Sequence, residues 1–198
     1  MIQQTEGKLH WNYFLALERD METVSRYIEF SESNYAVYSI ELAHLLFAAA
    51  SEADVVCKLL CEQIDPVSRR DNIIDYRTII RRGLPGVMNE NVYIRRYGLA
   101  FTPWVNWTLQ PDTNPDWWRA YNGVKHERNV HFQDATLKNA LNALGALLVV
   151  TFHYYLKSIA QKPLAVYPEQ DLTAQLQPES SLLRLKDGYY SIPFHVRG

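Results

Sequence analysis

The chain has 198 residues, of which 47% are hydrophobic and 21% are charged, and its formal net charge is −2. This length predicts a single domain with a proper hydrophobic core. The near-neutral charge excludes a global attraction to nucleic acid or to an anionic membrane, so any anion-binding surface must be a local patch.

Three features of the sequence favour a soluble protein of the reducing cytoplasm. Cys57 and Cys61 are four residues apart, and on a helix that spacing aims their side chains poorly for a disulfide, which favours two reduced core thiols. The N-terminus lacks a basic segment followed by an apolar one, so no signal peptide is predicted. The longest uninterrupted apolar run, which begins at Ala146, is too short to span a bilayer, and we expect no membrane partner.

Hydrophobic periodicity predicts three helices in the first half of the chain. The first begins near Asn12, and the polar cluster Ser31–Asn34 is expected to close it and to open the next. The second runs from Tyr35 to about Ile64 without glycine or proline, which is typical of the central helix of a bundle. A third, short helix is predicted over residues 69–82.

Residues 83–113 differ from the helical segments around them. Glycine, proline and asparagine alternate there with β-branched and aromatic residues, which predicts a loop-rich insertion with a short hairpin. Asn114 and Pro115 then provide an N-cap and a first helical residue for a helix from Asp116 to about Asn129. The charge of Asp116 complements the positive end of that helix dipole.

The last third of the chain predicts one more long helix and a hairpin. Asp134 is expected to cap the helix, and Pro163 stops it. Asp187–Gly188 lies between two strand-like segments and predicts a two-residue hairpin turn. The expected fold is therefore all-α: an up-and-down bundle of about four to five helices in residues 1–162, and a C-terminal extension with a small β-hairpin in residues 163–198.

The segment Trp117–Arg128, WWRAYNGVKHER, combines arginine, asparagine, lysine and histidine on one predicted helix. With about 100° per residue, Asn122 falls about 60° and His126 about 20° from Arg119 around the helix axis. One surface of this helix therefore presents a fixed cation, an amide and an imidazole.

These three groups suit the cleavage of a phosphodiester bond in RNA. Histidine can accept or donate a proton at neutral pH, and arginine offers a charged fork to phosphate oxygens. Lys125 beside His126 would keep that imidazole neutral and therefore basic. The ribose 2′-OH would be the nucleophile, so neither a metal nor a cofactor is expected. Because one histidine cannot readily be base and acid at once, a homodimer with two facing motifs would help.

Other residues could support this role or have a purely structural one. Glu41 and Glu52 lie on one face of the second helix, where either could orient His126 or simply face solvent. Tyr121 and the pair Trp117–Trp118 are expected to pack in the core, with base stacking by the tryptophans as the alternative.

Arg70, Arg77 and Arg81 would form one row on the third helix. A row of like charges is mildly unfavourable on an isolated helix, which points either to phosphate contacts with RNA or to pairing with acids from other helices. The sequence has no cysteine and histidine spacing typical of a metal site and no glycine-rich phosphate loop.

WWRAYNGVKHER follows a long helical segment that contains AAASEADVV and precedes a long amphipathic one. This arrangement resembles the HEPN superfamily over residues 10–160. HEPN proteins are small all-α domains with an Arg-x4–6-His motif near the start of a late helix. The resemblance implies that Arg119 and His126 are the catalytic pair of a metal-independent endoribonuclease. It also implies a homodimer that acts in toxin, defence or RNA-processing systems, where an antitoxin would be a partner.

Alternatives to catalysis stay open. Ala120 follows the arginine at the place where active superfamily members usually carry a polar residue, which favours a non-catalytic module that binds RNA, nucleotides or proteins. Arg119 could instead form a surface salt bridge with Asp116. The small residues Ala48–Ser51 would allow close helix approach in a purely helical dimerisation scaffold.

Overall fold

The computed structural model describes residues 7–111, 113–160, 172–173 and 175–190. Within these ranges the chain forms six α-helices and one two-stranded antiparallel sheet, which confirms the predicted helical class; this small hairpin lies in the insertion and not in the C-terminal extension. The helices are α1 (Leu9–Val24), α2 (Ile40–Ile64), α3 (Ile73–Gly83), α4 (Asp116–His126), α5 (Arg128–His131) and α6 (Leu137–Ala160), and the strands are β1 (Val92–Ile94) and β2 (Leu99–Phe101).

The helices α2 and α6 pack along each other at the centre of the bundle, and α1, α3 and α4 pack against α2. By length and composition alone, α6 could cross a membrane over Leu137–Ile159, and 72% of its apolar window is buried inside the protein. Residues 143–152 of α6 are buried on every side, and the bundle provides the neighbours that such a segment needs.

The central helix α2 begins at Ile40 rather than at Tyr35. Its N-cap is Ser39, whose hydroxyl accepts a hydrogen bond from the Leu42 N–H at 3.1 Å. The polar cluster expected to open this helix forms a separate 3₁₀ turn at Glu32–Asn34 instead. The prediction was therefore wrong about the start of α2, although the helix itself is present.

A contact with α6 explains this later start. The backbone carbonyls of Val37 and Tyr35 accept hydrogen bonds, at 2.8 and 3.2 Å, from the first two N–H groups of α6. The first turn of a helix cannot satisfy these groups internally. The α6 start is also capped by Thr136, whose hydroxyl accepts from the Asn139 N–H at 3.2 Å, so the predicted cap at Asp134 is wrong.

The short helix α3 begins at Ile73, after the predicted start at residue 69. Asn72 is its N-cap, because the Asn72 Oδ1 atom accepts hydrogen bonds from the N–H groups of Ile74 (2.9 Å) and Asp75 (3.1 Å). The arginines that precede Asn72 therefore lie in a turn and not on the helix.

The insertion of residues 83–113 contains the predicted hairpin and is part of the core. Phe101 of β2 packs against α6 at Gly145, where an added Cβ would lie 2.6 Å from the Phe101 Cε2 atom. The indole of Trp104 is fully buried and donates a hydrogen bond to the Ala146 carbonyl of α6 at 3.3 Å. Close packing against α6 thus holds the insertion in place.

Residues 172–190 fold back onto the helices. The side chain of Glu18 on α1 is in the protein interior, with 1% of the residue exposed. Its carboxylate accepts hydrogen bonds from the Ser180 hydroxyl and from three consecutive backbone N–H groups, which belong to Ser181 (3.0 Å), Leu182 (3.0 Å) and Leu183 (2.8 Å). One buried charge on α1 therefore anchors this C-terminal segment.

The predicted C-terminal hairpin turn is not observed. Asp187–Tyr189 form a 3₁₀ turn instead of a two-residue turn at Asp187–Gly188, and the expected second strand lies outside the described residues from residue 191 onward. The segment before this turn pairs with β1: Arg184 and Tyr93 exchange two backbone hydrogen bonds at 2.8 and 2.9 Å.

A buried carboxylate, Glu90, connects the insertion to α6 and to the C-terminal segment. It is 6% exposed and accepts a hydrogen bond from the Tyr189 hydroxyl at 2.8 Å. Its Oε2 atom lies 3.7 Å from His153 Nε2 and 4.0 Å from Lys186 Nζ. Burial raises the pKa of Glu90, but its interactions with His153, Tyr189 and Lys186 outweigh burial and hold the pKa below its ordinary value.

The cysteines Cys57 and Cys61 are unpaired and buried in α2, as predicted. Burial raises the pKa of the Cys57 thiol well above its ordinary value and raises the pKa of Cys61 to about 12. Both thiols are therefore protonated at neutral pH and act as small core side chains.

Candidate functional site

The helix α4 is anchored by its tryptophans. Trp117 is 1% exposed, and its indole N–H donates to the Pro103 carbonyl at 2.8 Å. Trp118 is also buried, and its ring lies edge-on to that of Trp117 with centroids 5.7 Å apart. The prediction that both rings are core anchors is confirmed, so they do not form an exposed stacking platform.

The two ends of α4 differ from their predicted positions. Pro115 precedes the helix instead of opening it, and no described side chain caps the N-terminus, so the predicted Asn114 cap is wrong. Asp116 lies in the first turn, as predicted, where its charge complements the helix dipole. At the other end the backbone leaves the helical conformation at Glu127, and α4 stops at His126.

Tyr121 and Lys125, the two candidate supporting residues on α4, have packing roles, which confirms the expectation that Tyr121 packs in the core. Tyr121 is buried and attaches α4 to α2, because its ring lies edge-on to Phe47 with centroids 5.6 Å apart. The Lys125 ammonium group lies 5.3 Å from the centroid of the Tyr121 ring, in a cation–π contact at the surface.

Arg119, Asn122 and His126 share the outer face of α4, opposite its buried face. Arg119 is exposed, and its Nη2 atom lies 2.6 Å from Asp116 Oδ1. The Asn122 amide donates to the Trp118 carbonyl at 3.0 Å. His126 is exposed, and none of the described residues forms a hydrogen bond or an ion pair with it. The face thus offers solvent a paired cation, an amide oxygen and an imidazole that pairs with no described residue.

A second imidazole lies beside this face. The chain turns after α4 and brings the ring of His131 onto Gly123, where an added Cβ would lie 3.0 Å from the His131 Cγ atom. The Nδ1 atom of His131 is 2.8 Å from Asp134 Oδ2. Gly123 therefore makes room for a side chain of the same molecule. Neither His131 nor Asp134 stands out by sequence, where the only signal is their i, i+3 spacing.

The acidic residues of α2 have other partners. Glu52 Oε1 lies 2.6 Å from His10 Nδ1 of α1, and both side chains are largely buried. Glu41 lies 3.9 Å from His44 on its own helix, at the exposed surface. Neither carboxylate contacts His126, so the structure does not bring these predicted residues together.

The predicted arginine row is not a continuous exposed surface. Arg70 precedes α3 and pairs with Glu62 at 2.8 Å, while its other guanidinium nitrogen donates to backbone carbonyls of the same turn. Arg77 is buried, with 9% of the residue exposed, and both Arg77 and Arg81 take part in interactions within the chain. Internal pairing, the structural alternative, therefore accounts for Arg70.

A polar cavity of about 250 Å³ opens next to the first turn of α4. Its lining includes the acids Glu32 and Asp116, Lys138 and the three asparagines Asn106, Asn139 and Asn142. Asn106 Nδ2 donates to Asp116 Oδ1 at 3.2 Å, so the cavity and Arg119 share one carboxylate.

Comparisons of the chain with protein-family models, with curated proteins and with solved structures found no match. Among the residues that the structure describes, no cluster of three or more histidines, cysteines or acidic residues could hold a metal ion. The roles of Arg119, Asn122 and His126 are therefore inferred from their geometry and from the sequence resemblance.

Proposed function

We propose that this protein is a HEPN-like, metal-independent endoribonuclease that cleaves RNA by attack of the ribose 2′-OH. One observation carries the proposal: Arg119, Asn122 and His126 lie together on the exposed face of a helix whose opposite face is anchored in the core. A rigid support of this kind limits the movement of the three groups relative to one another.

Each group has a role in this reaction. His126 is the acid–base group, and because none of the described residues pairs with it, its imidazole is available to the substrate. Arg119 binds the non-bridging phosphate oxygens and stabilises the negative charge that builds up at phosphorus. The Asn122 side chain, held through its amide nitrogen, positions the phosphate or the ribose between them.

The ion pair of Arg119 with Asp116 does not prevent phosphate binding. Both side chains are more than half exposed, at 62% and 53%. An exposed pair of this kind contributes only about 0–1 kcal/mol to stability, so a phosphate can replace the carboxylate. In the free protein, Asp116 holds the guanidinium group over the first turn of α4.

We also propose a homodimer with the outer face of α4 at its interface. Exposed apolar side chains lie before and after α4 in the chain, at Val105, Leu109 and Val130. The turn that carries Val105 is tied to the helix start by the hydrogen bond of Asn106 with Asp116. Sedimentation equilibrium is expected to show a dimer that Val130→Glu weakens; a monomer at high concentration would refute this arrangement.

The test of the nuclease function is cleavage of structured and single-stranded RNA in the presence of EDTA. The products should end in 2′,3′-cyclic phosphate, and Arg119→Ala and His126→Ala should each reduce the rate at least about 100-fold. His44→Ala, which removes an exposed histidine of α2 outside this face, is the matched control and should leave the rate unchanged. Cleavage that survives both site variants would refute the site, and no cleavage by the wild type would refute the function.

A second candidate is a non-catalytic module that binds a nucleotide or RNA. It is favoured by the polar cavity beside Asp116, whose lining of one lysine, three asparagines and the two acids Glu32 and Asp116 offers hydrogen-bond donors and acceptors to a nucleotide base. Isothermal titration calorimetry with nucleotides should then show binding without turnover. Lys138→Ala should weaken that binding, whereas His126→Ala should leave it unchanged.

A further inference from the structure

The position of His131 relative to the outer face of α4 follows from its contact with Gly123. On a helix surface, residues three and four apart are neighbours, with Cβ atoms about 5–6 Å apart. Gly123 is four residues after Arg119 and three before His126, so it is a neighbour of both. The His131 ring approaches the Cβ position of Gly123 to 3.0 Å through Cγ and to 3.3 Å through Nδ1. The His131 ring therefore covers the Gly123 position, which neighbours the helix positions of both Arg119 and His126.

The surroundings of His131 leave one ring nitrogen for a substrate. Nδ1 faces the Asp134 carboxylate at 2.8 Å, which orients the ring. The backbone carbonyl of Asp134 accepts a hydrogen bond from the Asn139 side chain at 2.8 Å, so the pair is tied to the first turn of α6. Nε2 lies 4.0 Å from the exposed carboxylate of Glu127, beyond hydrogen-bond distance. The His131 side chain is 39% exposed, so a substrate can reach it.

We propose that His131, oriented by Asp134, is the general acid of the reaction in which His126 is the general base; this proposal rests on the endoribonuclease function proposed above. A carboxylate on one side of an imidazole orients the ring and balances its charge when it carries a second proton, as in the Ser-His-Asp triad. Of His126 and His131, only His131 has a carboxylate partner among the described residues.

The reaction step balances within one chain. His126 accepts the proton of the 2′-OH while the 2′-oxygen forms a bond to phosphorus. The bond between phosphorus and the 5′-oxygen breaks, and His131 gives its proton to that oxygen. The products are a 2′,3′-cyclic phosphate and a 5′-hydroxyl, and both histidines return to their starting forms by exchanging a proton with water. The acid therefore does not have to come from a second copy of the chain.

The test compares two leaving groups in one RNA. The first substrate is the unmodified RNA, and the second carries a bridging 5′-sulfur at its mapped cleavage position. An alkoxide needs a proton to leave, whereas a thiolate does not. His131→Ala should reduce kcat at least about 100-fold on the unmodified RNA and less than about 5-fold on the sulfur substrate. His126→Ala should reduce kcat strongly on both, and His44→Ala on neither.

Two further variants guard against a purely structural effect. Asp134→Asn should slow the unmodified RNA more than the sulfur substrate, because it alters the orientation and the charge balance of the acid but not the base. His131→Asn, whose amide can still reach Asp134, should repeat the His131→Ala result at an unchanged melting temperature.

The outcomes separate this inference from the proposed function. Equal losses on both substrates, or no loss on either, in the His131 variants would overturn the role of His131 while RNA cleavage by the wild type still stands. If the wild type cleaves neither substrate, the nuclease function falls and the role of His131 falls with it.

Discussion

Replacing Glu18 by alanine should release the C-terminal segment from α1. Glu18 is 1% exposed. Its carboxylate accepts hydrogen bonds from the backbone N–H groups of Ser181, Leu182 and Leu183 and from the Ser180 hydroxyl. In Glu18→Ala these donors would lose their acceptor in a site that solvent barely reaches.

The expected loss follows from the number of these bonds. A hydrogen bond to a charged group contributes about 1.5–3 kcal/mol, so three N–H groups set an upper limit of about 5–9 kcal/mol. Water that enters the vacated space restores part of it, and we expect Glu18→Ala to lower the free energy of unfolding by about 3–5 kcal/mol. Glu18→Gln keeps the shape and one acceptor oxygen and should lose about 2 kcal/mol.

Urea unfolding followed by circular dichroism measures these losses, and limited proteolysis of the folded protein shows whether residues 172–190 detach first. Asp20→Ala is the matched control, since it removes an exposed carboxylate two residues later on the same helix and should change stability by less than about 0.5 kcal/mol. If Glu18→Ala loses less than about 1 kcal/mol and protease resistance is unchanged, the carboxylate does not anchor the segment.

Three further predictions concern the core. Gly145→Ala should lower the free energy of unfolding by about 1–2 kcal/mol despite the better helix propensity of alanine, because the new Cβ would lie 2.6 Å from the Phe101 ring. Adding Phe101→Leu to this variant should recover most of the loss. A Gly145→Ala variant more stable than the wild type would contradict this packing. Because the pKa of Glu90 is lowered in the folded protein, the ionised carboxylate stabilises the fold above the ordinary glutamate pKa, and this stabilisation is lost as the pH falls through the folded pKa. Urea unfolding at a series of pH values should show this loss of stability in acid for the wild type and less of it for Glu90→Gln. Identical pH profiles of the two proteins would refute the assignment. Cys57 and Cys61 should resist alkylation by iodoacetamide at pH 8 in the folded protein and react in urea, which mass spectrometry would show. Alkylation of the folded protein at the rate of a free thiol would contradict their burial.

The sequence by itself determined the helical elements that carry the candidate site. Periodicity, the absence of glycine and proline in the second helix and the two tryptophans predict α2, α4 and α6, because these signals act over one or two helical turns. The shared face of Arg119, Asn122 and His126 is a local property of the same kind, since residues at these spacings align on any regular helix.

Only the tertiary structure decided which groups meet across the molecule. The α2 helix starts late because the backbone carbonyls of Tyr35 and Val37 accept hydrogen bonds from the first N–H groups of α6. Glu52 pairs with His10 on another helix instead of supporting His126. The turn after α4 brings His131 onto Gly123, and Glu18 finds its partners more than 160 residues further along the chain. Contacts between distant segments are set by how the helices pack, and helical periodicity carries no information about which buried donors and acceptors that packing places together.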